Sequence, residues 1–242
     1  MQPQNRFAEL QKRVVLIDKR LSTLERAITA SDRTAALQTR QEVILQRICS
    51  FEGLHVEASV SGTEAKLGTE LKERGVKSFS FKAVPANYYK EDLEFRRACL
   101  EAASIQHLCK SLIYENPKLP VDQESSGTQH LRYYLVIVQY AAKLHGEKVK
   151  RFLHKNNGKL GTQYFRPRQA AFETSEKLSG YPSGSVTPVG LKTPLPIILS
   201  HEIAKLQPDF FWMGGGEELL KLGLHVSEFV DAYNPFIVDC TY

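Results

Sequence analysis

Several common signatures of function are missing from this chain of 242 residues. No apolar run approaches the roughly 20 residues that a membrane-spanning helix needs, which predicts a protein with no membrane association. The first residues lack the apolar core of a secretory signal, so a reducing, cytoplasmic location is expected. The chain has 4 cysteines and no CxxC pair, which argues against the usual zinc and dithiol motifs and predicts free, buried thiols.

The standard catalytic motifs are also incomplete. His201-Glu202 starts like an HExxH zinc motif, but Lys205 stands where the second histidine would be needed. The glycines 214–216 are not followed by the GK[ST] of a phosphate-binding loop. No serine–histidine–aspartate arrangement is apparent. The sequence therefore predicts neither a bound metal nor a cofactor.

The positive charge is concentrated near the N-terminus. The whole chain has a formal net charge of +5, and residues 1–50 hold nine Lys/Arg against five Asp/Glu, a net +4. The same segment has apolar residues spaced alternately three and four apart, an a/d seam over three heptads. They are Phe7, Leu10, Val14, Ile17, Leu21, Leu24 and Ile28. We predict a helical, coiled-coil-like segment over 1–50 that packs on its own domain, self-associates or docks on another protein.

A compact domain is predicted from about residue 67 to residue 238. Helices and strands alternate there without repeated βαβ units, which favours a mixed α/β fold with a curved, barrel-like sheet and flanking helices. The run YYLVIVQY at 133–140 is apolar throughout, as in a central strand buried on both faces. Further predictions are a helix over 169–178, a strand over 186–189 and the start of a helix over 216–222.

Three short segments of this domain predict a pocket. CKSLIY places Lys110 at the start of an apolar strand, GSVTPVGLK is a loop punctuated by glycine and proline, and FWMGGG is an aromatic strand that breaks into glycines. Together they indicate one fixed cation with close approach of backbone, which suits a reactive, anionic substrate. Cys109 precedes Lys110, and strand alternation should put it on the opposite face, as a core residue.

These blocks, in this order, resemble the YbaK family, which comprises aminoacyl-tRNA deacylases and the editing domain of prolyl-tRNA synthetases. The stretches that carry the resemblance include HLCKSLIYEN, YYLVIVQYAAKLHGEKVKRFL, SGYPSGSVTPVGLKTPLPIILS and PDFFWMGGGEELLKLGLHVSEFV. The resemblance is particularly close to the free-standing eukaryotic branch and covers about 170 of the 242 residues, nearly all of them outside the N-terminal helices. The resemblance implies a mixed α/β fold on a curved, barrel-like sheet.

The resemblance also assigns roles to residues. It implies that Lys110 and Gly184 are the catalytic positions, the second because its backbone lies against the aminoacyl group. The substrate-binding positions are Ser185, Pro188, Gly190, Gly214 and Gly215. The chain departs from the bacterial cysteinyl-tRNA(Pro) deacylases in three places. Gly214 stands in place of a serine, Lys221 in place of an aspartate, and Val84 in place of a pocket tyrosine for which Tyr88 or Tyr89 could substitute.

Two functions follow as expectations. The first is a trans-editing hydrolase that removes a small amino acid such as Cys, Ala or Ser from mischarged tRNA and so protects translation fidelity. The second is a non-catalytic tRNA-binding or scaffolding protein in an aminoacyl-tRNA synthetase complex. In both, tRNA is a partner. A synthetase, or a second copy of the chain, is a possible partner of the N-terminal helices.

Overall fold

The computed structural model describes residues 61–119, 132–156 and 160–242. Within these ranges the α-helices are α1 (Gly62–Glu73), α2 (Leu93–Leu100), α3 (Gly146–Asn156), α4 (Phe172–Ser179) and α5 (Val226–Tyr233). The strands are β1 (Phe79–Ala83), β2 (Cys109–Glu115), β3 (Tyr133–Gln139), β4 (Arg168–Gln169), β5 (Ile197–Ser200), β6 (Phe211–Gly214), β7 (Leu220–Leu224) and β8 (Phe236–Val238). The predicted helical segment 1–50 lies outside the described residues.

The larger sheet has the strand order β4-β2-β3-β5-β8. Its central strand, β3, pairs antiparallel with β2 and parallel with β5, and almost every side chain of β3 is buried. This agrees with the expectation from YYLVIVQY, because a strand covered on both faces has no polar side to alternate with. The register sets Lys110 of β2 opposite Val138 of β3.

The smaller sheet is antiparallel, with the order β1-β7-β6. It meets the larger one at the start of β2, where Leu108 forms a parallel bridge with Trp212 of β6. Leucine, isoleucine, phenylalanine and methionine side chains from the two sheets share one continuous core. The two sheets therefore bring the lysine strand and the glycine strand side by side, which is the mixed, curved α/β arrangement predicted above.

Two local predictions are wrong. Residues 186–189 form a loop rather than a strand, since the Tyr181 hydroxyl donates to the Val189 carbonyl, where a neighbouring strand would otherwise supply the hydrogen bond. The segment 216–222 is a turn followed by β7 rather than the start of a helix, because β1 and β6 pair with it on both sides. The helix predicted over 169–178 begins at Phe172, and Arg168–Gln169 add a short edge strand instead.

The cysteines differ from the prediction in one case. Cys109 and Cys240 are free and buried, as expected, but Cys99 at the end of α2 is disulfide-bonded. In the described part of the chain, none of the helices has the length and apolar character needed to cross a membrane.

Candidate active site

A cavity of about 340 Å³ lies between β2, the end of β4, helix α4, the loop that follows α4 and the end of β6. Three residues singled out from the sequence, Lys110, Gly184 and Gly214, line this cavity. Its wall also includes the side chains of Tyr140 and Glu176. Binding sites for small molecules usually fall between roughly 300 and 1,000 Å³, so this one is of a size to hold a small substrate group.

Lys110 brings a positive charge to the cavity. Its ammonium lies 5.7 Å from the centre of the Tyr140 ring, and it makes no hydrogen bond or ion pair to any described residue. The adjacent Cys109 is 2% exposed on the other face of β2, and burial raises the pKa of its thiol. The thiol therefore stays protonated and belongs to the core, whereas the lysine remains available to an anionic group.

The loop over residues 181–190 forms the opposite wall and is held in shape from inside. The Tyr181 hydroxyl donates to the carbonyls of Val189 (2.7 Å) and Gly190 (3.0 Å), which closes the loop. The Ser185 N–H donates to the Pro182 carbonyl (3.1 Å). At the turn between them Gly184 has φ of +80°, a conformation that glycine adopts without strain.

These bonds decide which N–H groups of the loop can meet a substrate. The N–H of Ser185 is occupied by Pro182, and the Ser185 hydroxyl is buried without a hydrogen-bond partner. The N–H of Gly184 has no partner among the described residues. Of the two amides considered from the sequence, only that of Gly184 is free to stabilise negative charge in the cavity.

Glycine at position 214 allows β6 to pass directly beneath this loop. A Cβ atom there would lie 2.7 Å from the Val186 carbonyl oxygen and 3.0 Å from that of Ser185, closer than real Cβ contacts occur. At Gly215 a Cβ atom would lie 2.9 Å from the Leu220 carbonyl oxygen. A serine side chain at position 214 would not fit against this loop as it stands, so the loop can pass this close to the strand only because residue 214 is glycine.

The remaining predicted site residues shape the loop without lining the cavity. Pro188 is buried within it. Gly190 has φ of +68°, and a Cβ atom there would lie 2.5 Å from the Tyr181 hydroxyl and 2.8 Å from Leu67. Both residues therefore act on the site through the loop's conformation.

We expect Gly190→Ala to lower the free energy of unfolding by about 2 to 5 kcal/mol, because it adds left-handed backbone strain to a steric clash. Denaturant unfolding followed by circular dichroism measures this. Gly62→Ala is the matched control, since nothing lies within 4 Å of a Cβ there and the stability should change by less than about 1 kcal/mol. Equal stabilities for the two variants would show that the loop does not need glycine at 190.

A second group of residues, behind the cavity, was only partly foreseen from the sequence. Lys221 on β7 is 3% exposed, and its ammonium donates to the Tyr89 hydroxyl (2.6 Å) and the Glu218 carbonyl (2.7 Å). The Tyr89 hydroxyl in turn donates to the carbonyl of Gly184 (2.9 Å). Burial is the main reason that the pKa of Lys221 falls to about 8, while burial raises that of Tyr89.

Arg96 on α2 fixes this group in place. Its guanidinium donates to the backbone carbonyls of Tyr88 (3.1 Å) and Tyr89 (2.9 Å) and lies 5.5 Å from the centres of the Tyr89 and Tyr140 rings. Neither Arg96 nor Tyr140 was predicted as a site residue from the sequence. Their contacts join segments far apart in the chain, and no local spacing marks them.

The chain was compared with family models, curated proteins and solved structures. A search of family models and one of curated proteins found no match to the chain. Among solved structures, a candidate trans-editing enzyme for prolyl tRNA synthetase superposes with a TM-score of 0.59 at 21% sequence identity, over 76% of this chain and 99% of the other. The described domain has a YbaK-type fold. This confirms the fold that the sequence blocks implied.

Two further solved structures share the YbaK-type fold with this chain. One comes from a study of epitope grafting by computational design on scaffold proteins, with a TM-score of 0.56, 19% identity and coverage of 76% of this chain and 99% of the other. Another is a hypothetical protein with a TM-score of 0.55, 20% identity and coverage of 73% and 99%. At these identities the likeness concerns the fold, and the chemistry has to be argued from the cavity itself.

Proposed function

We propose that this protein is a trans-editing hydrolase that deacylates mischarged aminoacyl-tRNA. The proposal depends mainly on one observation: the unpaired Lys110 ammonium and the free Gly184 amide belong to residues that line the same cavity. Its support from known proteins is the fold it shares with a candidate trans-editing enzyme.

The reaction asks little of the protein, because an aminoacyl ester is already activated. Water adds to the ester carbonyl carbon, the bond to the ribose oxygen breaks, and the products are a free amino acid and the tRNA 3′ end with its hydroxyl restored. The attacking water loses one proton overall, and the ribose oxygen gains one. Holding the ester in place and stabilising the negative charge that develops on its oxygen is sufficient for an editing rate.

The lining residues divide these tasks by charge. The Lys110 ammonium attracts the terminal phosphate or the ester oxygen, and the Gly184 N–H is a fixed dipole for the developing oxyanion. Glu176 on α4 is the one acidic side chain among the described lining residues, and it suits the α-ammonium of the aminoacyl group. The described wall contains no histidine to act as a general base, so the ribose hydroxyl next to the ester is the proposed acceptor that orients the water.

Helix α3 is proposed to form the surface that contacts the tRNA acceptor stem. Its basic side chains form a strip, although Lys148 is committed to Asp239 (2.8 Å) and Lys150 lies 3.8 Å from Glu147. Arg151 and Lys155 are exposed and form no ion pair with the described residues, so they are the better phosphate contacts. The N-terminal segment 1–50 is proposed to attach the domain to a synthetase or to a second copy of the chain.

We expect the full-length protein to hydrolyse at least one ester from a defined panel. The panel contains Cys, Ala and Ser on tRNA(Pro), and Ser on tRNA(Thr), with correctly charged Pro-tRNA(Pro) as the control that should survive. Release of labelled amino acid, corrected for spontaneous hydrolysis, is the measurement. Binding of these tRNAs with no release above the buffer rate would instead favour the non-catalytic, scaffolding role.

A further inference from the structure

Tyr89 stands between the two parts of the proposed site. Its hydroxyl donates to the Gly184 carbonyl (2.9 Å), on the residue whose amide is free. The Arg96 guanidinium lies 5.5 Å from the centres of both the Tyr89 and the Tyr140 rings, and the Tyr140 ring lies next to the Lys110 ammonium (5.7 Å). Tyr89 therefore binds the loop wall directly and shares the Arg96 guanidinium with the tyrosine that lies beside the lysine.

Lys221 sets the direction in which this hydroxyl points. A phenol has one hydrogen to donate, and its oxygen also accepts. The Lys221 ammonium has only donors, so it occupies an acceptor position on the Tyr89 oxygen (2.6 Å) and leaves the phenol hydrogen for Gly184. The ammonium is itself held by the Glu218 carbonyl and lies 4.6 Å from the centre of the Tyr89 ring.

Burying the Lys221 ammonium costs free energy of folding, which suggests that the residue serves the site rather than the stability of the fold. An ammonium that is 3% exposed has lost most of its hydration, and no carboxylate pairs with it among the described ion pairs. Burial without such a partner disfavours the charged form. An apolar side chain of similar length would pack in this position without that penalty.

We propose that Tyr89 and Lys221 are positioning residues of the editing site, with Lys221 orienting the Tyr89 hydroxyl and the hydroxyl fixing the Gly184 peptide against the cavity. The inference rests on the proposed deacylation for its kinetic consequence. Its structural consequence, a loop held from outside by a side chain that does not line the cavity, can be measured independently.

Tyr89→Phe keeps the ring and removes only the hydroxyl. We expect kcat for the best ester of the panel to fall roughly tenfold to a hundredfold, the equivalent of one charge-assisted hydrogen bond, with little change in KM. Tyr88→Phe is the matched control, because the Tyr88 ring also lies beside Lys221 (5.3 Å) but its hydroxyl has no hydrogen bond to a described residue. That control should keep the activity of the unmodified protein.

Lys221→Met tests the other half of the pair. We expect a similar loss of kcat with a thermal midpoint at pH 7 that is equal or higher, which a purely structural lysine would not give. In the Tyr89→Phe/Lys221→Met double variant the loss should match that of the single variants rather than their product, because both remove the same contact. Multiplying losses would overturn the pairing.

A pH profile gives a separate readout. Above its pKa of about 8, Lys221 becomes a neutral amine whose lone pair accepts from the Tyr89 hydroxyl, and the Gly184 carbonyl loses its donor. The ratio of unmodified to Tyr89→Phe activity should therefore fall as the pH rises through about 8. The substrate's own amine titrates equally with both proteins, so it cancels. The titratable and charged groups that face Lys221 are Lys82, Tyr88, Tyr89, Arg96, Cys109, Tyr140 and Glu218.

Hydrogen exchange at the Ser185 amide, which is protected by its bond to the Pro182 carbonyl, followed by NMR in the full-length protein, completes the test. Tyr89→Phe and Lys221→Met should speed exchange there by tenfold or more, and Tyr88→Phe should not. If the unmodified protein cleaves no ester but exchange responds in this way, the deacylase proposal fails and the structural half of the inference stands. Unchanged exchange and unchanged kcat in Tyr89→Phe would overturn the positioning role.

Discussion

Lys110→Ala should lower the rate of deacylation by about two to three orders of magnitude, the usual effect of removing one fixed charge or donor from a preorganised site. The ammonium touches the Tyr140 ring and no other charged or hydrogen-bonding group in the described ranges. Its loss should therefore change the free energy of unfolding by no more than about 1 kcal/mol. Single-turnover release of amino acid, together with thermal unfolding, separates the two quantities.

Two further variants sharpen this experiment. Lys110→Met keeps the aliphatic stem and should lose as much activity as the alanine variant, since the charge is what matters. Lys66→Ala removes an exposed lysine of helix α1 and should behave like the unmodified protein. Full activity in Lys110→Met would contradict the assignment of Lys110.

Gly184→Val should abolish measurable deacylation, a loss of at least about a hundredfold, by filling the cavity where the ester must lie. Nothing lies within 4 Å of a Cβ atom at this position, so the side chain enters open space in the pocket wall and displaces no neighbour. The positive φ of +80° adds a backbone cost of about 1 to 3 kcal/mol. A loss of activity in this variant therefore has to be compared with that of a control that suffers the same loss of stability.

The chain supplies a control with the same backbone strain. Gly75, at the end of α1, has φ of +82° and also has nothing within 4 Å of a Cβ atom, but it lies away from the cavity lining. Gly75→Val should lose a comparable amount of stability and keep its deacylase activity. If both variants lost activity together, strain and not obstruction would explain the result at Gly184.

The parts of the site that could be predicted from the sequence are those with a local signal. The apolar run of β3 and the lysine at the start of β2 are visible because strand burial follows a period of two residues. The turn at Gly184 is visible because few residues other than glycine adopt its conformation. The local signals singled out the three segments, the family resemblance named Lys110, Gly184 and Gly214 within them, and these three residues line one cavity.

The parts that could not be predicted depend on contacts between distant segments. Lys221 and Tyr89 are 132 residues apart, and Tyr89 and Gly184 are 95 apart, so no spacing rule relates them. The segment 186–189 has the β-branched residues of a strand, yet the Tyr181 hydroxyl donates to its last carbonyl, that of Val189, and helps to hold it as a loop. In the same way, pairing with β1 and β6 overrides the local preference of 216–222.

The wall that faces Lys110 is made largely of main chain, and this has a consequence for selectivity. A side chain can turn to another rotamer to admit a larger ligand. The Gly184 peptide group cannot move in this way, because hydrogen bonds hold its carbonyl and the neighbouring Ser185 amide. Phe172 at the rim, which is 51% exposed, is free to adapt. Such a pocket limits the size of the group that lies against its main-chain wall and accepts varied groups at its rim. Its preference among amino acids should therefore change more readily when residues that support this wall from behind are replaced than when residues on its surface are replaced.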